Sequence, residues 1–368
     1  MMYYKMGEST ARQATWIFIL SLGLLFNACT RDGSSQFKMK PNAFGEIASL
    51  VIVADREIWD GPIGDTIRYY YSSAYLILPQ PEPILDLKYF SPTDFKNVPL
   101  KRELKSYLIL ADLNDNSSPT AALMKKELGP KNLDLFLTDP KKNNVVIGYD
   151  RWAKGQLIMF QMADSPESLV ENLKLNLPTL IKKVRSQDAV QIGANAYQSG
   201  RNTKLESEIE AKMHVRLKIP NDFLAAINDG KAFWLRKETD KASFNLLISR
   251  FKYTSTKQFS AENLKAMRDT LGKKYVSSRA PNSYMVVNDV DLPLFGQAVN
   301  MNGKYAFEGR GIWEIENDYM AGAFICYLIH NPKTNEIILI DGFLYAPGET
   351  KRNKMLQLEH IIQTAVIP

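Results

Sequence analysis

The segment Leu78-Pro79-Gln80-Pro81-Glu82-Pro83 restricts the fold of this chain more than any other. Three prolines in six residues remove three backbone donors and fix three φ angles, which excludes the stretch from a helix interior and from a central strand. It has to run extended, as a connector of polyproline character. The elements around it must therefore be short and separately formed. Residues 47–54 make an apolar run that reads as a buried strand. Asp55 stands where it can cap a following helix carrying Ile58, Trp59, Ile67, Tyr70 and Tyr71. Beyond the connector, residues 84–90, 106–111, 145–149 and 156–162 read as strands and 120–128 as a helix. Ser165-Pro166-Glu167 opens a longer helix, with Ser165 as cap and proline in the first turn. Leu169, Leu173, Leu177 and Leu180 recur along it at spacings of three and four, and Pro178 is expected to bend or end it.

After a polar stretch at 187–201 the order restarts. Residues 205–211 read as a helix, 215–219 as a strand, and Pro220-Asn221-Asp222 as the opening of a helix through Ile227. Asp229-Gly230 is a turn, and alternating strands of the half-buried antiparallel kind follow at 232–237 and 244–253. Ser260 caps a helix through Leu271. Strands come next at 284–287, 312–316, 322–329 and 337–345, the last two joined by a hairpin turn at 331–335. Residues 349–362 close the chain as a helix with Met355, Leu358, Ile361 and Ile362 on one face. Strands in hairpins with helices beside them indicate the α+β class: two side-by-side antiparallel-sheet units with helices packed on one face, in a ferredoxin-like order. The helix-after-strand spacing of the first half also permits a partly parallel sheet.

The beginning of the chain carries an address. Lys5 and Arg12 precede an apolar run from Trp16 to Phe26, eleven residues long. That is too short to span a bilayer and suits the h-region of a secretory signal. Ala28-Cys29 follows, the pattern of a bacterial lipoprotein whose cysteine is acylated, although Phe26 and Asn27 depart from the residues usual before such a cysteine. Polar, Gly/Ser-bearing residues 30–40 suit a tether. The expected division is a signal at 1–28, a tether at 29–44, and two α+β domains at 45–200 and 201–368. The expected location is the cell envelope, lipid-anchored at Cys29 to the outer membrane and facing the periplasm or the surface.

Several segments resemble an uncharacterised family of Bacteroidetes lipoproteins known only as a domain of unknown function. They are Trp59-Asp60-Gly61-Pro62 with Gly64, the proline connector, Trp234-Leu235-Arg236, and the C-terminal block. That block comprises Gly311-Ile312-Trp313-Glu314-Ile315-Glu316-Asn317-Asp318-Tyr319-Met320, then Gly342-Phe343-Leu344-Tyr345-Ala346-Pro347 and Lys351-Arg352-Asn353. The resemblance implies a tethered envelope protein and brings no catalytic or binding residues with it.

With 45% hydrophobic and 23% charged residues the chain is of globular composition. Two cysteines and three widely separated histidines exclude a disulfide framework and argue against a metal centre. No Gly-rich phosphate loop, His-Glu-x-x-His or Gly-x-Ser-x-Gly occurs, so no cofactor or metal is expected. Ser35 and Lys38 have the spacing of a serine–lysine acylase but fall in the tether. Cys326 lies in an apolar strand and reads as a small buried hydrophobe. A net charge of +6 without dense basic–aromatic interleaving, on an exported chain, argues against nucleic acid. The expected partners are the membrane, through the lipid, and other envelope proteins or glycans. Trp59, Gln80, Glu82, Arg236, Glu314 and Asp318 are the candidate ligand contacts, to be judged by whether they line one pocket. The expected role is a non-enzymatic binding or assembly component. The alternative is a glycan-directed hydrolase using Glu314, Glu316 and Asp318, which share one strand. A lipid or sterol carrier would need an apolar cavity.

Overall fold

The computed structural model describes residues 40–368. The signal, Cys29, and Ser35 with Lys38 lie outside the described residues. Pro41–Pro368 forms one compact unit built on two sheets.

The first sheet has five strands in the order β2-β1-β3-β5-β4. They are β1 (Ser49–Val53), β2 (Asp86–Phe90), β3 (Ser106–Asp112), β4 (Val145–Tyr149) and β5 (Leu157–Ala163). β2, β1, β3 and β5 run parallel, and β4 lies antiparallel at the edge. β3 and β5 are buried along almost their whole length, the signature of parallel strands covered on both faces. One face packs Leu50, Ile52, Leu108 and Met159 against α2 (Pro62–Tyr71) and α5 (Pro166–Ala196). The other packs Val51, Tyr107, Ile109 and Phe160 against α3 (Pro92–Asn97) and α4 (Pro119–Thr138). A short α1 (Arg56–Asp60) precedes α2, separated from it by Gly61-Pro62.

The second sheet has eight antiparallel strands in the order β10-β11-β12-β13-β8-β7-β6, with β9 also paired to β11. They are β6 (Leu224–Asn228), β7 (Ala232–Glu238), β8 (Ser243–Lys252), β9 (Tyr284–Asn288), β10 (Phe295–Met301), β11 (Lys304–Glu316), β12 (Ala321–Asn331) and β13 (Glu336–Tyr345). α6 (Thr203–Met213) and α8 (Arg352–Ile362) cover one face. α7 (Ala261–Tyr275) covers the other, held tightly to β9 because Gly272 lets the Met285 carbonyl approach; a Cβ there would stand 2.3 Å from that oxygen.

The α+β class therefore holds. Its details differ. The first sheet is the partly parallel alternative rather than an antiparallel unit, helices cover both faces of each sheet, and neither strand order is ferredoxin-like. α5 runs through Pro178 to Ala196, because Asp188, Ile192 and Ala196 bury its far end. Residues 224–228 form a strand rather than a helix, since the Asp229-Gly230 turn lays them antiparallel on β7. Residues 215–219 join no sheet; Arg216 makes one bridge to Val366.

Candidate binding cleft

The first sheet reverses its winding between β1 and β3. From β1 the chain crosses through α2 on one face to β2, and from β3 it crosses through α4 on the opposite face toward β5. Neighbouring parallel strands that diverge in this way leave a crevice beyond their carboxyl ends, where such sheets usually bind ligands. Asp55, Ser91, Thr93, Asp115, Ser117 and Ser118 line that crevice, which encloses about 440 Å³. Through Pro92, Thr93 and Pro119 it adjoins a second lobe of about 420 Å³ between α3 and α4. This lobe is lined by Phe95, Lys96, Arg102, Leu123, Lys126 and Trp152.

Two Ser-Pro pairs build the lip. Ser91 Oγ accepts the Asp94 N–H at 3.1 Å and Ser118 Oγ accepts the Ala121 N–H at 2.9 Å, while the prolines take the first helical positions. Asp55 is buried between the strands. Its Oδ1 accepts the Thr120 N–H at 3.0 Å and the Thr120 hydroxyl at 2.6 Å, and its Oδ2 accepts the Ser118 hydroxyl. The carboxylate expected to cap α1 makes no side-chain cap there and secures the start of α4 instead. Asp115 is held below the usual carboxylate range by the Ser117 hydroxyl and N–H.

The second lobe has an aromatic floor. Phe95 lies edge-on to Trp152 at 5.0 Å and to Tyr107 at 5.5 Å between ring centroids. Gln156, fully buried, accepts the Trp152 and Ala153 N–H groups at 2.8 Å and donates to the Arg102 and Leu104 carbonyls, so it fastens the loop carrying Trp152 to the segment carrying Arg102. Glu127 is neutralised by Arg151 at 2.6 Å. Lys96, Arg102 and Lys126 form no ion pair and no side-chain hydrogen bond among the described residues. The lining of both lobes contains no histidine and no cysteine, and its buried carboxylate spends both oxygens on hydrogen bonds.

The six contacts expected from the sequence are not brought together. Trp59 stacks on Tyr89 at 4.9 Å, under the Arg68 guanidinium. Gln80 and Glu82 grip the start of α8: the Glu82 carboxylate accepts the Lys351 N–H at 2.5 Å and the Arg352 N–H at 3.0 Å, and Gln80 accepts from Lys351 Nζ. Arg236 pairs with Glu238 on β7 and lies over Trp234. Glu314 accepts from Asn288 at 2.8 Å, on the sheet face opposite Trp313 and Ile315. Asp318 is held below the ordinary carboxylate range by the Ser278 hydroxyl and the Tyr319 N–H. Among the described residues no group of three or more His, Cys, Asp or Glu could hold a metal ion, and no helix is long and apolar enough to cross a membrane. None of these six residues lines the cleft. The signal for it was present in Ser91-Pro92 and Ser118-Pro119, which repeat the Ser165-Pro166 cap after strand-like runs.

Comparison with known proteins identifies two domains of unknown function. One, DUF8532, matches residues 43–196, and the other, DUF4837, matches residues 202–364. Both halves of the chain match uncharacterised domain families. No curated protein matches the sequence. Among solved structures, the PsbP protein of the cyanobacterium Synechocystis is similar at a TM-score of 0.30 and 10% identity, over 43% of this chain and 88% of its own. The Ran-binding protein Mog1p of Saccharomyces cerevisiae gives 0.27 and 9%, over 42% and 90%. At that level these likenesses bear on neither fold nor role.

Proposed function

We propose that this chain is a non-catalytic binding component of the cell envelope, anchored through an acylated Cys29, with the cleft between α3 and α4 as its ligand site. The observation that carries the reading is the cleft itself. It adjoins the crevice where the sheet reverses its winding, and its apolar floor is fixed by Gln156. The hydrolase alternative has weaker support. A glycan hydrolase needs one carboxyl raised enough to donate a proton, whereas Asp318 is lowered by its donors.

Native mass spectrometry of the chain released from its host envelope in mild detergent tests the proposal. A bound species is expected on the wild type and absent from Ala122→Trp, which fills the lobe from the exposed side of α4. Turnover of an envelope glycan that is lost in Glu314→Gln or Asp318→Asn would overturn it.

A further inference from the structure

We infer that the lobe between α3 and α4 takes an acyl chain bearing an anionic head; the inference rests on reading the cleft as a ligand site and names its ligand class. Phe95, Leu123, Trp152 and the two prolines supply a floor for an apolar body. Around that floor stand three cations without an ion-pair partner, Lys96, Arg102 and Lys126. Two nearby cations are matched: Lys101 with Asp94 at 3.2 Å and Arg151 with Glu127 at 2.6 Å. The lining of this lobe thus carries three unpaired cations, and its one acidic side chain among the described residues, Glu127, is already neutralised. The adjoining crevice is the reverse. Asp55, Glu57 and Asp115 line it, so an anionic head is repelled from that end and drawn to the cations. A volume of about 420 Å³ lies within the range of small-ligand pockets. A cationic or sugar-headed amphiphile gains nothing from the rim, and an acidic peptide has no need of the apolar floor.

Fluorescence of Trp152 in the full chain reads occupancy, with Trp152→Phe identifying its share of the emission. Dodecanoate and a lysophosphatidylglycerol of equal chain length, both below micelle formation, separate a free acid from a lipid headgroup, and binding of either supports the inference. Dodecyltrimethylammonium and dodecyl maltoside are expected to bind far more weakly. Lys96→Glu with Lys126→Glu is expected to weaken the anionic ligands by about tenfold or more, and added salt to weaken them in wild type, because exposed charges are screened within about 8 Å at physiological ionic strength. Equal binding of the neutral or cationic amphiphile, or no effect of the charge reversals, would overturn the anionic head and leave the cleft reading standing. An acidic peptide that shifts the emission where every amphiphile fails would overturn the ligand class alone. Binding of dodecanoate undiminished by Ala122→Trp would overturn both.

Discussion

The Arg268–Asp341 pair lies under α7 with its two side chains 1% and 0% exposed and Arg268 Nε 3.0 Å from Asp341 Oδ2. Neither oxygen of Asp341 has a hydrogen bond of good geometry, and Arg268 Nη1 also lacks one. The guanidinium instead lies 3.8 Å from the centroid of Phe324. Burial pushes the Asp341 carboxyl above its ordinary range, and Arg268 only partly opposes it. Desolvation therefore outweighs pairing here, as is common for buried ion pairs. Arg268→Met strands a buried carboxylate and is expected to cost about 3–5 kcal/mol. Arg268→Met with Asp341→Leu removes both charges and is expected to return to within about 1 kcal/mol of the wild type, or to exceed it. Urea unfolding followed by the fluorescence of Trp313, in the same core, measures each variant, and with Asp341→Leu alone it completes the cycle that yields the coupling energy. The single variant also has a pH signature. Its Asp341 folded pKa lies further above the unfolded value of about 3.9, so the associated stability is present below that value and lost as pH rises through the folded one. Arg268→Met is therefore destabilised more at pH 7 than at pH 4.5. A double variant as unstable as the single would show that the pair is net stabilising and refute the reasoning.

Asp55→Ala removes the acceptor of Thr120 N–H, the Thr120 hydroxyl and the Ser118 hydroxyl; a loss of about 3 kcal/mol is expected, with faster amide exchange at the first turn of α4. Cys326 is fully buried and its thiol is pushed well up, by burial first and by Asp341 second. In a Cys29→Ser chain it should therefore resist a thiol reagent at pH 8 until urea unfolds the protein; rapid labelling of the folded state would contradict the packing.

What could be read from the sequence was what local chemistry decides. The Ser-Pro cap of α5, the Ser260 cap of α7 and the Asp229-Gly230 turn all depend on residues within a few positions of one another, whereas the proline segment expected to run extended bends at residues 76–80 and folds back, with Ala74 bridged antiparallel to Pro83. The readings that differed were decided at long range. Residues 224–228 carry a helix-compatible composition, yet pairing with β7 overrides it. The parallel order of the first sheet lay in which strands become neighbours, a fact no strand carries by itself. β10, an exposed edge strand holding Gly296, Gln297 and Asn300, lacks the apolar run that marks a buried one. Glu82 and Gln80 stand among prolines, and their partners, Lys351 and Arg352, lie about 270 residues away. Asp55 was legible as a cap and not as the cap of α4, and the cleft followed from that same crossing of the chain.

Photo-crosslinking with a diazirine-bearing dodecanoate, followed by peptide mapping, addresses the binding cleft most directly. Label concentrated in residues 92–102, 119–127 and 152, and displaced by unmodified dodecanoate, is the predicted result. Label centred on residues 314–318, or spread evenly over the chain, would contradict it.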